Sequence, residues 1–264
     1  MDLGLKDKSA VVSGSTAGIG LAIATVLAAE GAKVVINGRT EARVTAALKQ
    51  IHSQAKNADV RGVAADLGTA AGVEKFVKEV PQTEILVNNL GIFEVKPFHE
   101  IPDGDWFRFF EVNVLSGVRL SRQYLPGMQK NKWGRIIFIS SESGQQIPAE
   151  MIHYGMTKTA QIAVARGLAE SVAGSGVTVN SVLVGPTASE GASVFVEDMA
   201  KRQGVSTAEV ERQFFASVRP TSLLKRFETP EEIAMVVAFV ASTHAVTMNG
   251  AAVPADGGVI RSIL

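Results

Sequence analysis

Short apolar runs alternate with longer stretches of helical periodicity almost from one end of the chain to the other. Ala10-Val11-Val12 leads into a glycine-rich turn and then an alanine-rich helical pattern over residues 19–29. Lys33-Val34-Val35-Ile36 follows, and Thr40 opens the next helix. Further strands are predicted at 60–64, 85–87, 136–139, 177–183 and 251–253, with helices notably over 106–128, 156–173 and 231–241. Thr229-Pro230-Glu231-Glu232 combines an N-cap, a first-turn proline and a capping-box glutamate, so it marks a helix start and needs no functional reading.

Runs such as Val34-Val35-Ile36 are apolar on both faces, as strands are when helices cover both sides of a parallel sheet. With regular βα alternation, this predicts an α/β fold: a doubly wound, Rossmann-type parallel sheet of about seven strands. No repeat, linker or low-complexity stretch divides the chain, so one domain over 1–264 is expected. The rhythm breaks between Gly185 and Pro220, where two amphipathic pieces, 192–203 and 207–217, read as a substrate lid over about 187–220 or as a surface insertion with a packing role. Val194, Phe195, Met199, Val210, Phe214 and Phe215 would either line a pocket there or dock the segment onto the body.

Composition narrows the classes. Of 264 residues, 46% are hydrophobic and 20% charged, a globular balance. Lys plus Arg and Asp plus Glu are 26 each, so no basic field points to nucleic acid or an anionic membrane. The longest apolar run, 233–241, is far short of the ~20 residues that span a bilayer. The charged start lacks the apolar core of a signal peptide, and a cytoplasmic location is expected. With no cysteine and four scattered histidines, no metal site is expected. His153 stands beside Tyr154 and either faces substrate or is accommodated locally.

Candidate chemistry begins at Ser13-Gly14-Ser15-Thr16-Ala17-Gly18-Ile19-Gly20. Glycines between a strand and a helix allow a tight turn and close approach to a pyrophosphate, whose charge suits the helix N-terminus. Position after the first strand makes the Gly-x-x-x-Gly-x-Gly spacing a dinucleotide-binding signal. The second strand ends Ile36-Asn37-Gly38-Arg39, with no carboxylate until Glu41. Arg39 offers a fork for a 2′-phosphate, which favours NADP(H) over NAD(H); otherwise it is a solvated arginine at a helix start.

Tyr154 and Lys158 lie one helical turn apart. A phenol titrates near 10, and a neighbouring cation favours phenolate, which equips the pair for proton transfer. Gly134 to Ser141 is a buried strand ending in hydroxyls, and Val87-Asn88-Asn89-Leu90-Gly91 ends another in amides and glycine. Ligands gather at the carboxyl ends of parallel strands, which would bring Ser141 beside a cofactor. No Gly-x-Ser-x-Gly elbow supports a hydrolase.

With Gly14, Gly18, Gly20, Asp66-Leu67, Asn88-Asn89-Leu90-Gly91, Asn113, Ser141, Tyr154, Lys158, residues 180–189 and Asp256-Gly257-Gly258, the chain resembles the single-domain branch of the short-chain dehydrogenase/reductase family over essentially its whole length. It is similar to the 3-oxoacyl-[acyl-carrier-protein] reductase-like oxidoreductases. The resemblance implies Tyr154 as general acid in reduction and base in oxidation. It implies that Lys158 lowers the pKa of Tyr154 and binds the nicotinamide ribose, that Ser141 rather than Ser140 polarises the carbonyl, and that Asn113 holds a water relaying protons to Lys158. Cofactor contacts are implied at Gly14, Ser15, Gly18, Ile19, Gly20, Arg39, Asp66 (adenine edge), Leu67, Asn88 (ribose, through its backbone), Tyr154, Lys158, Thr187 and Ser189.

The chain departs from the family pattern at Leu90, usually alanine, at Val184-Gly185-Pro186 where Pro-Gly is usual, and at Ser189 in place of threonine. Helices apolar around much of their circumference need a second surface, and the resemblance makes that a homotetramer, with a dimer as fallback. The expected activity is NADPH-dependent reduction of a ketone or 3-oxoacyl carbonyl to an alcohol. Alternatives are an alcohol or sugar dehydrogenase working oxidatively, and a non-catalytic cofactor sensor.

Overall fold

In the computed structural model, residues 1–263 are described, apart from the side chains of Glu190, Ala192, Val194 and Phe195. Seven strands form one sheet in the order β3-β2-β1-β4-β5-β6-β7. They are β1 Ser9–Val12, β2 Lys33–Gly38, β3 Val60–Ala64, β4 Ile85–Asn88, β5 Gly134–Ser141, β6 Val177–Val184 and β7 Ala252–Ala255. Every pairing is parallel. The chain therefore has the expected doubly wound Rossmann-type sheet, and the strand order reverses between β1 and β4, where such sheets open a ligand crevice.

Period-two alternation divides the central strands between two cores. Val12, Ile36, Val87, Ile139 and Val184 face one side, packed with Leu27 of α1 (Gly18–Ala29), Val44 of α2 (Glu41–Gln54) and Val237 of α9 (Pro230–Ala241). Val11, Val35, Leu86, Phe138 and Val179 face the other, against Phe76 of α3 (Ala70–Glu79), Leu120 of α5 (Ser116–Lys130) and Ala165 of α6 (Ile152–Ser171). Each fully buried aliphatic side chain contributes ~1.5–3 kcal/mol, so burial on both faces makes the sheet a rigid platform for the loops at its carboxyl edge.

The stretch expected as one helix over 106–128 is two. Helix α4 (Asp103–Phe110) and α5 flank a π-helical turn over Glu111–Leu115. That wider turn interrupts the regular ladder at Asn113, whose carbonyl accepts from Gln161 Nε2 at 2.6 Å. The interrupting segment after β6 forms α7 (Glu190–Gln203) and α8 (Thr207–Gln213), then a π-helical turn over Phe214–Val218. The predicted capping box at Thr229 is present, its side chain and that of Glu232 exchanging bonds with each other's backbone N–H. Among the described residues, no helix is long and apolar enough to cross a membrane.

Candidate active site

The glycine turn is fixed by buried polar side chains. Ser15 Oγ donates to Val12 O at 2.6 Å and accepts from Asn37 N at 2.9 Å, while Ser15 N donates to Asn37 O. Asn89 Nδ2 donates to the carbonyls of Ser13 and Gly14, both at 3.0 Å. Gly14 and Gly18 adopt φ of 61° and 54°, the left-handed region. A Cβ on Gly20 would lie 2.4 Å from Asn89 Nδ2 and 2.6 Å from Gly14 O, so the close approach admits no side chain. The α1 N-cap is Ala17, which supplies no side-chain hydrogen bond, and the first turn carries no acid. Its N–H groups and dipole therefore suit an anion, and the cradle fits a nucleotide pyrophosphate.

Arg39 is exposed where β2 ends, and no described residue bonds its guanidinium. Asp66 is exposed after β3, its Oδ1 accepting from Gly68 N at 3.1 Å. At three expected contacts the side chain turns away from the crevice. Leu67 is 1% exposed and packs in the core, leaving only its backbone toward the crevice. Ser15 is fully buried, with both its hydroxyl and its N–H bonded inside the loop. The Asn88 side chain turns into the fold, donating to Ser121 Oγ at 3.2 Å, which agrees with a contact through its backbone.

Beyond the turn, Ile19, Gly91, Ser141, Tyr154, Lys158, Thr187 and Ser189 line a cavity of about 240 Å³. Strand β5 delivers Ser141 at its carboxyl end, and the first two turns of α6 carry Tyr154 and Lys158. Ser140 Oγ donates to Lys158 O at 2.9 Å and so ties β5 to α6. Lys158 Nζ donates to Ile139 O at 2.8 Å and Gln161 Oε1 at 3.2 Å, and lies 5.5 Å from the Tyr154 ring centroid. Burial brings the ammonium down to about 8, opposed by the negative charge of Glu142.

The Tyr154 phenol is pushed up from its ordinary value, first by burial and next by the charge of Glu142, while its hydrogen bond with Ser141 and the charge of Arg219 pull it down. Asn113 is fully buried: its Nδ2 donates to Ile92 O and Thr157 Oγ1, and its Oδ1 accepts from Ile92 N. Its side chain thus fixes the Ile92 loop, and its carbonyl meets Gln161. His153 is also fully buried, its ring 4.1 Å from that of Phe109, and it does not face the cavity.

A second cavity of about 610 Å³ opens from Ser141 and Tyr154, with Phe93, Val95, Met151, Phe214, Val218 and Phe227 in its mainly apolar wall. Phe214 lines it, whereas Val210 and Phe215 are buried; Phe215 packs on Phe214 and Phe227 with ring centroids 5.1 and 5.2 Å away. The segment thus both lines and docks. Val194 and Phe195 lie outside the described side chains.

Sequence reasoning missed Asn37, Glu142, Gln161 and Arg219. Glu142 adjoins Ser141 and Gln161 follows Lys158 by one turn. Their proximity was visible in the sequence, but the direction of their side chains was not.

Residues 8–200 match the short chain dehydrogenase family. The chain belongs to it. It is 46% identical to the uncharacterized oxidoreductase YvaG of Bacillus subtilis, over 100% of both chains. It is 34% identical to the 3-oxoacyl-[acyl-carrier-protein] reductase FabG of Pseudomonas aeruginosa, covering 98% of this chain and 100% of that one. Among solved structures, the L-sorbose reductase of Gluconobacter frateurii, complexed with NADPH and L-sorbose, superposes with a TM-score of 0.94 over 100% of both chains at 31% identity. The chain is therefore an oxidoreductase acting on hydroxyl or carbonyl groups.

Proposed function

We propose that this oxidoreductase is an NADPH-dependent reductase that converts a ketone or 3-oxoacyl carbonyl to an alcohol. The observation that carries the reading is the convergence of Ser141, Tyr154 and Lys158 on one cavity wall, at the carboxyl edge of the sheet and in line with the glycine turn. Gly14, Gly18, Ile19 and Gly20 hold the pyrophosphate, Arg39 reads the 2′-phosphate, Asp66 the adenine edge and the Asn88 backbone the ribose. Thr187 and Ser189 close the nicotinamide end, and the 187–220 segment serves as lid over a single domain. The bound nicotinamide supplies the hydride.

Tyr154 donates its proton to the carbonyl oxygen as negative charge develops there, and Ser141 orients that oxygen by turning toward it the hydroxyl proton it otherwise donates to Glu142. Lys158 binds the nicotinamide ribose and supports the charge left on Tyr154. Burial holds the phenol in its protonated form, the form a reductase needs. A cofactor sensor would have no use for the convergent hydroxyls.

The large, mainly apolar cavity supports a substrate with a sizeable apolar part, and the NADPH complex of the L-sorbose reductase supports the choice of nucleotide. By resemblance to its family the protein assembles as a homotetramer; Met235 and Phe239 of α9, 58% and 40% exposed, are available for such contacts. The test is nicotinamide absorbance across ketones, 3-oxoacyl thioesters and sugar alcohols, with NADPH/NADP and NADH/NAD in parallel. NADPH-dependent loss of absorbance with a ketone or 3-oxoacyl thioester is the expected result.

A further inference from the structure

Among the described residues lining the larger cavity, the one cation is Arg219, and carboxylates already hold it. Arg219 Nε donates to Glu142 Oε1 at 2.8 Å, and Nη1 donates to Glu150 Oε1 at 3.2 Å and to Val218 O at 3.0 Å. The other oxygen of Glu142 accepts from Ser141 Oγ, Ser143 N and Ser143 Oγ. The side chains of Arg219 and Glu142 are only 10% and 5% exposed, so packing holds the pair in place. Two carboxylates against one guanidinium give this wall a formal charge of −1 beside the hydroxyl that would meet the carbonyl, while the Lys158 ammonium lies in the adjoining cavity, bonded to Ile139 O and Gln161 Oε1. The rest of the wall is mainly apolar, and Lys201, Arg202 and Arg212, the other cations of the 187–220 segment, are not among its lining residues.

An anion entering this cavity would lose hydration and find no free cation in the described wall. We propose that Glu142, held by Arg219, is a specificity-determining residue that makes the site select uncharged carbonyl compounds and reject short oxo acids carrying a free carboxylate. The reacting carbonyl sits at Ser141 and Tyr154, and the uncharged remainder lies against Phe93, Phe214 and Phe227. A thioester or simple ketone meets the requirement; the corresponding free acid does not. At separations of several ångströms in a partly desolvated site, the uncompensated charge is sufficient for discrimination on the order of 100-fold. This inference rests on the reductase reading.

The test compares ethyl acetoacetate with acetoacetate, which share the reacting ketone and differ in charge, using NADPH at pH 8. Wild type should show kcat/KM at least 100-fold higher for the ester. Glu142→Gln keeps an acceptor for Arg219 and releases guanidinium charge, so the acid-to-ester ratio should rise at least tenfold. Glu150→Gln, altered at a side chain that is 39% exposed, should move the ratio the same way by about threefold, and guards against a folding defect at Glu142. Acid and ester within threefold of each other in wild type, or a ratio unchanged in both variants, overturns the proposal.

Binding of hexanamide and hexanoate to NADPH-loaded protein, followed by ligand-observed NMR, provides a readout without turnover. The amide should bind at least tenfold tighter, with the gap narrowing in Glu142→Gln; equal binding contradicts the proposal. If neither ketone is reduced, the wider panel of ketones and 3-oxoacyl thioesters decides the reductase reading, and the binding pair alone decides the charge selection.

Discussion

Lys158 Nζ donates to Gln161 Oε1 at 3.2 Å, and Gln161 Nε2 donates to the carbonyl of Asn113 at 2.6 Å. One buried amide therefore connects the Lys158 ammonium to the π-helical turn between α4 and α5. It ties two elements that meet at the cavity and gives the charged form of Lys158 an acceptor.

That link predicts a pH effect. Burial lowers the Lys158 pKa to about 8, so reduction that requires its proton should fall as pH rises through about 8. Gln161→Leu removes an acceptor of the ammonium, disfavours the charged form and should move the midpoint down by about one unit. Gln161→Glu places a negative charge there and should move it up. Profiles of kcat against pH check both signs; coincident profiles would reduce Gln161 to a packing residue.

Arg39 stands where β2 ends, exposed and bonded by no described residue. If it binds the 2′-phosphate, Arg39→Ala loses charge-assisted bonds worth about 1.5–3 kcal/mol. NADPH affinity should fall by roughly 10–100-fold, while NADH affinity stays within about twofold. Fluorescence titration of both nucleotides decides it, since equal losses would remove the phosphate-reading role.

Gly20 tests the glycine cradle. Its Cβ would lie 2.6 Å from a main-chain oxygen, so Gly20→Ala must shift backbone at a cost of about 1–3 kcal/mol. Nucleotide binding should weaken at least tenfold and Tm should fall. Gly127, whose Cβ would meet nothing within 4 Å, is the control position for the same substitution.

Glu228 is 5% exposed, and burial together with the charge of Asp256 raises its carboxyl to about 7, against 4.5 ordinarily. The folded chain thus holds this proton more tightly than the unfolded chain. The resulting stability is fully present below pH 4.5 and is lost as pH rises through about 7. Glu228→Gln removes the penalty of the buried charge. It should be more stable than wild type by about 1–3 kcal/mol at pH 8, with the advantage disappearing near pH 4.5. Denaturant melts at both values measure it.

Much of this architecture was legible because apolar runs covering both faces recur at regular intervals, as in Val34-Val35-Ile36 and Ile136-Ile137-Phe138-Ile139. Ser141, Tyr154 and Lys158 could be found because fixed spacing on a strand end and a helix carries them to one edge. Side-chain direction was less accessible. Leu67 sits in a matching motif yet points into the core, and Ser15 bonds inward because Asn37, across the turn, receives it. The break at Glu111–Leu115 carries no Gly or Pro to announce it; it becomes intelligible only from the bonds Asn113 makes to Ile92, Thr157 and Gln161. The Glu142–Arg219 pair spans segments far apart in sequence, and no local pattern announces it.

The central claim is that Tyr154 delivers the proton during NADPH-dependent carbonyl reduction. Tyr154→Phe keeps the ring that meets Phe93 edge-on at 6.3 Å and removes only the hydroxyl. With the best carbonyl substrate from the panel, kcat should fall by roughly 10²–10⁴-fold while the Kd for NADPH stays within about threefold. Turnover within a factor of three of wild type would contradict the assignment.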